Sequence, residues 1–304
     1  MKPTIYSFSI LLILLLGGCE SCVKKNTPRV IAGKTTIFVA DPYNKILTEE
    51  VKLFTSLYPD AHITLHTTST DEAIVSFLND SVKIIFVDRP FTDEENQIIQ
   101  QYSIPVSSTI VARDGLTIIA HSYNPIRQIS QQSLKKIILG TETNWRNIPE
   151  SRWGGSIQLA LTNKHSGIYR LLQQNFFPTQ TEFPISAALS CQEELVQFVT
   201  QHPQSIGVIS FTTAQQLPKE IKVLPVEATL PDSTQGFLKP TQENIYQKLY
   251  PFHYSLYLYS REAKGGLGLG FGTFLLTYSG QKIIQDAGIA PVNIPSRPIQ
   301  ITVE

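Results

Sequence analysis

From Thr35 to Gly288 the chain alternates short runs rich in β-branched residues with longer runs of helical period, and this alternation points to an α/β sheet with crossover helices. Thr35–Ala40 (TTIFVA), His62–Thr67 and Lys83–Val87 (KIIFV) read as strands. The second is half-buried, because Ile63 and Leu65 alternate with polar neighbours. Between the strands, Lys45–Tyr58 places Leu47, Val51, Phe54 and Tyr58 at helical spacing and stops at Pro59; a second helix covers Asp71–Leu78. Thr92 and Glu95 have the spacing of a capping box, so a third helix begins just beyond Asp88-Arg89-Pro90. Ser107 to Trp145 then reads as a strand broken at Asp114-Gly115, a turn at Asn124-Pro125, a Ser130-capped helix to Leu139 and a loop from Gly140. The alternation continues with strand Ile157–Leu161, helices Gly167–Asn175 and Gln192–Gln201, and strand Ser205–Phe211. Pro218–Pro240 is rich in turn residues and defines no element. A helix around Thr241–Leu249, the alternating strand Tyr254–Tyr259 and two helices ending at Gly288 complete the pattern.

The N-terminus adds a separate constraint. Lys2 precedes an apolar run from Ile10 to Leu16, too short to span a bilayer but suited to the core of a signal peptide. The run ends in Leu16-Gly17-Gly18-Cys19, which resembles the lipobox of bacterial lipoproteins: small residues let the processing peptidase approach the backbone closely. The resemblance implies removal of residues 1–18, lipidation of Cys19, a tether over 19–29, and a protein lipid-anchored to the bacterial cell envelope and facing outside the cytoplasm. Such a compartment would permit Cys22 and Cys191 to pair, although the tether position of Cys22 argues against it. Cys19-x-x-Cys22 has no second CxxC or His pair to complete a metal site. Lys+Arg and Asp+Glu both total 25, so no broad field exists to hold nucleic acid. A hydrophobic content of 42% over 304 residues is enough for two domains with cores of their own.

Three loops run from the end of a strand into a helix, the position where open α/β sheets present ligands to unpaired N–H groups and the positive end of a helix dipole. They are Ala40–Asn44, with Asp41 and Tyr43; Thr67–Thr70, with Ser69; and Thr162–Gly167, with Asn163, Ser166 and Gly167. Asp88 and Arg89 occupy a fourth such turn. Each has a plainer role open to it: Asp41 as the N-cap of the following helix, Asp88 as a charge near a helix N-terminus, Arg89 in an exposed salt bridge. Catalysis is not expected, because His165-Ser166 is the only suggestive pair and adjacent residues on one loop rarely place a base on the neighbouring hydroxyl. No cofactor is expected either. The glycines from Gly265 to Gly272 never satisfy the dinucleotide spacing, and with Phe271, Phe274 and Leu275 they read as a close-packed helix face.

The segments YPDAHI (58–63), DRPFTDEE (88–95), ARDGLTIIAHSYNPI (112–126), LKKIILGTETNW (134–145) and GQKIIQDAGIAPV (280–292), in that order, resemble the phosphate-binding, PstS-like branch of the type 2 periplasmic binding proteins. The resemblance implies an α/β fold of two lobes, each a mixed sheet flanked by helices, with a ligand cleft between them. It implies lobe 1 over 30–112 plus 254–304, lobe 2 over 113–253, and crossings near Arg113-Asp114 and Phe252-His253. It further implies a monomeric solute-binding protein that captures phosphate or a related small anion for an ABC permease. In that family the residue matching Asp88 accepts a hydrogen bond from protonated phosphate, and Ser166-Gly167 matches the start of a Ser-Gly-Thr phosphate loop. The chain departs from the pattern in three places. Thr162 or Asn163 stands where relatives carry an arginine, Ile168 where they carry threonine, and Asp41-Pro42 where they carry a Gly/Ser/Thr-rich turn. Loss of a guanidinium fork removes the main bidentate grip on an anion, and Asp41 facing the cleft would repel a phosphate dianion. Lys164 is a possible substitute cation. A lipid-anchored sensor or protein-interaction module with a degenerate pocket is the alternative on the same scaffold.

Overall fold

The structure, a computed structural model, describes residues 31–177, 182–262 and 266–294. The segments expected to be a signal peptide and a tether, with Cys19 and Cys22, lie outside the described residues. The first group of elements is β1 (Gly33–Ala40), α1 (Asn44–Leu57), β2 (Ala61–Thr68), α2 (Thr70–Leu78), β3 (Ile84–Val87) and α3 (Asp93–Gln101), leading into the long strand β4 (Ser107–His121). There follow α4 (Gln131–Ile138), β5 (Gln158–Thr162), α5 (Gly167–Phe176), β6 (Ala187–Leu189), α6 (Gln192–Gln201), β7 (Ser205–Ser210) and the single turn α7 (Phe211–Ala214). The chain then forms β8 (Ile221–Val223), β9 (Val226–Thr229), β10 (Gln235–Leu238) and α8 (Gln242–Tyr246). It returns through β11 (His253–Ser260), α9 (Leu267–Leu275), α10 (Tyr278–Asp286) and β12 (Ala290–Pro291).

The strand order β2-β1-β3-β11-β4-β7-β5-β6 divides into two halves of a two-lobed fold that share β4. In one half β1 runs parallel to β2 and β3, while β11 is antiparallel to both β3 and β4. In the other, β7 is antiparallel to β4 and parallel to β5, which is parallel to β6. Strand β4 pairs with β11 from Ser107 to Gly115 and with β7 from Leu116 to Ala120. Asp114-Gly115 therefore does not break the strand, contrary to the sequence expectation; the backbone stays extended and changes partner. Asp114 is fully buried, and its carboxylate accepts from Gly115 N–H (2.7 Å), Thr212 Oγ1 (2.6 Å) and Tyr43 OH (3.0 Å), so side chains satisfy the point of exchange.

Fully apolar β3 is buried at all four positions, as a strand covered on both faces must be. Helix starts follow the hydroxyl signals: Ser69, Thr92, Ser130, Ser166, Thr241 and Thr277 each accept from an N–H three residues on, and Thr92 with Glu95 closes the capping box. The glycine-rich helix α9 packs directly on the sheet. A Cβ at Gly268 would lie 2.5 Å from Ile84 Cδ1, while Phe271, Phe274 and Leu275 are buried. Pro218–Pro240 is more ordered than its turn composition suggests, because β8 pairs with β4 and β9 with β10. No described helix is long and apolar enough to cross a membrane.

Candidate ligand-binding site

A cavity of about 100 Å³ lies where the ends of β1, β2, β3 and β5 meet the starts of α2, α5 and α6. The volume holds a small polyatomic ion and is well short of a pocket for a drug-sized ligand, which takes roughly 300 Å³ or more. Its polar wall brings together Asp41, Ser69, Asp88, Asn163, Ser166 and Gly167, six of the sequence candidates drawn from four separate loops.

Hydroxyls dominate the wall because strand-to-helix junctions select N-cap residues. Ser69 Oγ accepts from Glu72 N–H (3.3 Å), and Ser166 Oγ accepts from Tyr169 N–H (3.2 Å) while sharing a hydrogen with Thr162 Oγ1 (2.6 Å). Thr70, buried at the first turn of α2, donates to Asp88 Oδ1 (2.7 Å). Asp88 Oδ2 has no hydrogen-bond partner although the residue is 1% exposed. Burial pushes its carboxyl up to about 6 against the opposing hydrogen bond from Thr70. An ideal Cβ on Gly167 would fall 1.7 Å from Asp88 Oδ1, so only glycine lets the start of α5 come this close to the carboxylate.

Asp41 lines the cavity and is not the N-cap of α1; that position is Tyr43, which makes no side-chain capping bond. The Asp41 carboxyl instead lies toward the backbone N–H of Gln192 at the start of α6, where the N-cap Cys191 gives no side-chain cap. Burial, and then the nearby Glu193, raise Asp41 to about 6. The Asp41-Pro42 peptide is cis.

Two sequence candidates are not brought to the cavity. Tyr43 is buried, with its hydroxyl 3.0 Å from Asp114 Oδ2 and 2.9 Å from Tyr254 OH. Arg89 is also buried rather than in an exposed salt bridge. Its guanidinium holds both oxygens of Glu95 (2.8 and 2.9 Å) and Asp71 Oδ1 (2.9 Å), which commits the fork that could have gripped an anion. Lys164 does not replace it, since its ammonium pairs with exposed Glu182 at 3.2 Å. The other oxygen of Asp71 receives Arg170 from α5 at 2.8 Å, and Asp71 N–H donates to His165 O. Acid and base thus join α2 to α5 at the edge of the cavity.

Sequence reasoning included the whole Thr67–Thr70 loop but singled out only Ser69 in it, and it missed the Ser190-Cys191-Gln192 wall. Thr70 was one residue from the chosen Ser69. The start of α6 follows a strand of three residues, too short to show a period, so nothing marked it as another strand-to-helix loop.

A family model described as the PBP superfamily domain matches residues 24–278. The phosphate-binding protein PstS of Staphylococcus haemolyticus is 23% identical over 207 residues, which are 67% of this chain and 63% of that protein. PstS of Staphylococcus saprophyticus is 23% identical over 220 residues, 71% of this chain and 66% of that one. The matched part is therefore less than two thirds of these relatives' length. Among solved structures, a Clostridium perfringens substrate-binding protein of the phosphate ABC transporter type, with phosphate bound, superposes with a TM-score of 0.70 at 19% identity, covering 86% of this chain and 100% of that one. An ABC-type phosphate transport receptor from Vibrio cholerae gives 0.67 at 18% identity, covering 84% and 99%.

Proposed function

The chain belongs to the PBP superfamily, and from that premise we propose that it is an extracytoplasmic solute-binding protein that captures phosphate between two lobes and hands it to an ABC permease. The observation that carries the reading is the orphan oxygen of Asp88: a buried acceptor facing a small hydroxyl-lined cavity that is built for a ligand bearing its own O–H. Helix N-termini of α2, α5 and α6 supply N–H groups and positive potential for the ligand's bare oxygens. The names of the relatives support phosphate as the ligand. Lobe 1 comprises residues 30–112 and 254–304 and lobe 2 residues 113–253; ligand contacts from both stabilise the closed arrangement over the open one. Asp88, Ser69, Ser166, Gly167 and Asn163 form the binding set, with Asp41 as an atypical member. Cys19 carries the lipid that holds the protein, a monomer, to the outer face of a membrane.

Two measurements test this reading. Titration calorimetry of the detergent-solubilised chain should detect inorganic phosphate, with a loss of at least about 100-fold in affinity on Asp88→Ala, as expected when a charged hydrogen-bond partner is removed. Unchanged affinity would remove Asp88 from the site, and a wild-type chain blind to phosphate would favour the interaction-module alternative. Fractionation of cells expressing Cys19→Ala should move the protein out of the membrane fraction. Retention there would sink the anchor.

A further inference from the structure

The cavity holds two carboxyls and no cation. Asp41 and Asp88 both line it, whereas none of the lining residues is a lysine, arginine or histidine. The guanidiniums of Arg89 and Arg170 are engaged by Glu95 and Asp71. A phosphate dianion lodged between two carboxylates would concentrate four negative charges here, against three helix N-termini contributing roughly half a charge each. Protons are the remaining way to reduce that repulsion.

Burial favours the neutral form of each carboxyl, and the groups around the two act differently. Asp41 faces Glu193 of α6, which repels its charge, and one N–H donor at Gln192. Asp88 faces Asp114 of β4, which also repels, along with Thr70 of α2 and the adjacent Arg89, which oppose that effect. Tyr43 and Tyr254 nearby hold their protons more tightly than a free phenol does. Burial is the largest cause for both carboxyls, and each lies at about 6, close to where inorganic phosphate itself changes charge.

Resting on the phosphate reading above, we propose that Asp41 is a second proton-sharing carboxyl that makes this site take phosphate in its singly charged form, with Asp41 and Asp88 each holding a hydrogen bond to a different phosphate oxygen. Singly charged phosphate has two O–H groups, one for each carboxylate, and two bare oxygens for the hydroxyl and N–H donors. The dianion has only one O–H and leaves one carboxylate facing a bare oxygen. Asp41 is thus a specificity determinant that selects the protonation state of the ligand. It replaces an attraction supplied by arginine with one that depends on a proton.

The test is calorimetry of the EDTA-treated, detergent-solubilised chain with inorganic phosphate, from about pH 5.5 to about pH 8.5, in two buffers of different ionisation enthalpy so that protons are counted. Affinity should peak between about pH 6 and neutrality, fall below about pH 6 as the two carboxyls take up protons and can no longer accept, and fall about tenfold per unit above neutrality, with about one proton taken up per phosphate at pH ~8. Asp41→Asn keeps Asp88 and replaces an acceptor with a group that can donate. It should bind phosphate at least about tenfold more tightly than wild type at pH ~8, with proton uptake abolished. The wild-type proton count stands even if the variant does not fold. A wild-type chain that binds without proton uptake at pH ~8 overturns the proposal. So does a folded Asp41→Asn with the wild-type profile, which would leave the proton to Asp88 alone. Binding that appears only when a divalent cation is restored also overturns it, because the carboxylates would then share a metal. Failure of both proteins to bind phosphate at any pH is a different result: it refutes the phosphate reading itself and this proposal with it.

Discussion

Glu50, in the middle of α1, is 1% exposed, and neither of its carboxyl oxygens has a hydrogen-bond partner. It faces an apolar space lined by residues including Phe86, Leu256, Ile284 and Ile289. Helical spacing put Val51 on the inward face, but Val51 is only half-buried, and Glu50, three residues after Leu47 and four before Phe54, takes the inner position. Burial raises its carboxyl from 4.5 to about 8. The native state therefore binds this proton more tightly than the unfolded chain does. Its contribution to stability is greatest below pH 4.5 and is lost as pH rises through about 8. Glu50→Gln should match wild type in thermal midpoint near pH 5 and exceed it by a few kcal/mol in stability near pH 8. Equal midpoints at both values would show that Glu50 is ionised without penalty. Asp41 illustrates the same gap between composition and position: as a letter it suits a helix cap, and only its placement against α6 turns it toward the cavity.

At the scale of elements, the site is a set of strand-to-helix junctions, and each was legible to the degree that its strand and cap were. The junctions before α2 and α5 have long enough strands and Ser caps, so Ser69 and Ser166 stood out. The junction before α6 has a three-residue strand and a cysteine cap, and it was not recognised. Arg89 was correctly seen in a turn facing a helix, but its direction depends on Glu95 and Asp71, whose positions are set by α3 and α2. Gly167 tests the junction before α5. Alanine is a good residue for a first helical turn, but at Gly167 its Cβ would overlap the buried Asp88 carboxylate, so Gly167→Ala should cost about 1–3 kcal/mol of thermal stability. Phosphate affinity should fall by at least about 100-fold in the same calorimetric assay, well beyond what that loss of stability explains. Binding within threefold of wild type would mean that α5 can withdraw without disturbing the site.

For the whole molecule, the two halves are joined by β4 and by contacts across the cavity. Arg170 of α5 reaches Asp71 of α2 at 2.8 Å, while Asp71 also holds Arg89, which in turn holds Glu95. This chain of charges crosses from one half of the sheet to the other at the rim of the cavity. Arg170 is about a third exposed, so its pair with Asp71 is worth on the order of 1 kcal/mol. Arg170→Ala should raise the phosphate Kd about fivefold, chiefly through faster release, and enlarge the ligand-free radius of gyration in small-angle scattering. An unchanged release rate would show that the pair does not hold the halves together.

The sequence by itself determined the α/β alternation, nearly every described helix, the longer strands, the hydroxyl caps that became the cavity wall, and the family resemblance. All of these rest on local signals: period, cap and turn chemistry act within a few residues and are written in order along the chain. Only the tertiary structure decided that β4 continues through Asp114-Gly115, because the extended backbone there is held by Thr212 and Tyr43 from distant segments. It alone decided that Arg89 turns away from the cavity, that Asp41 turns toward it, and that Asp88 keeps a free oxygen. Such outcomes depend on which charges meet across the fold and how much water is excluded between them, and neither quantity is a property of any short stretch of sequence.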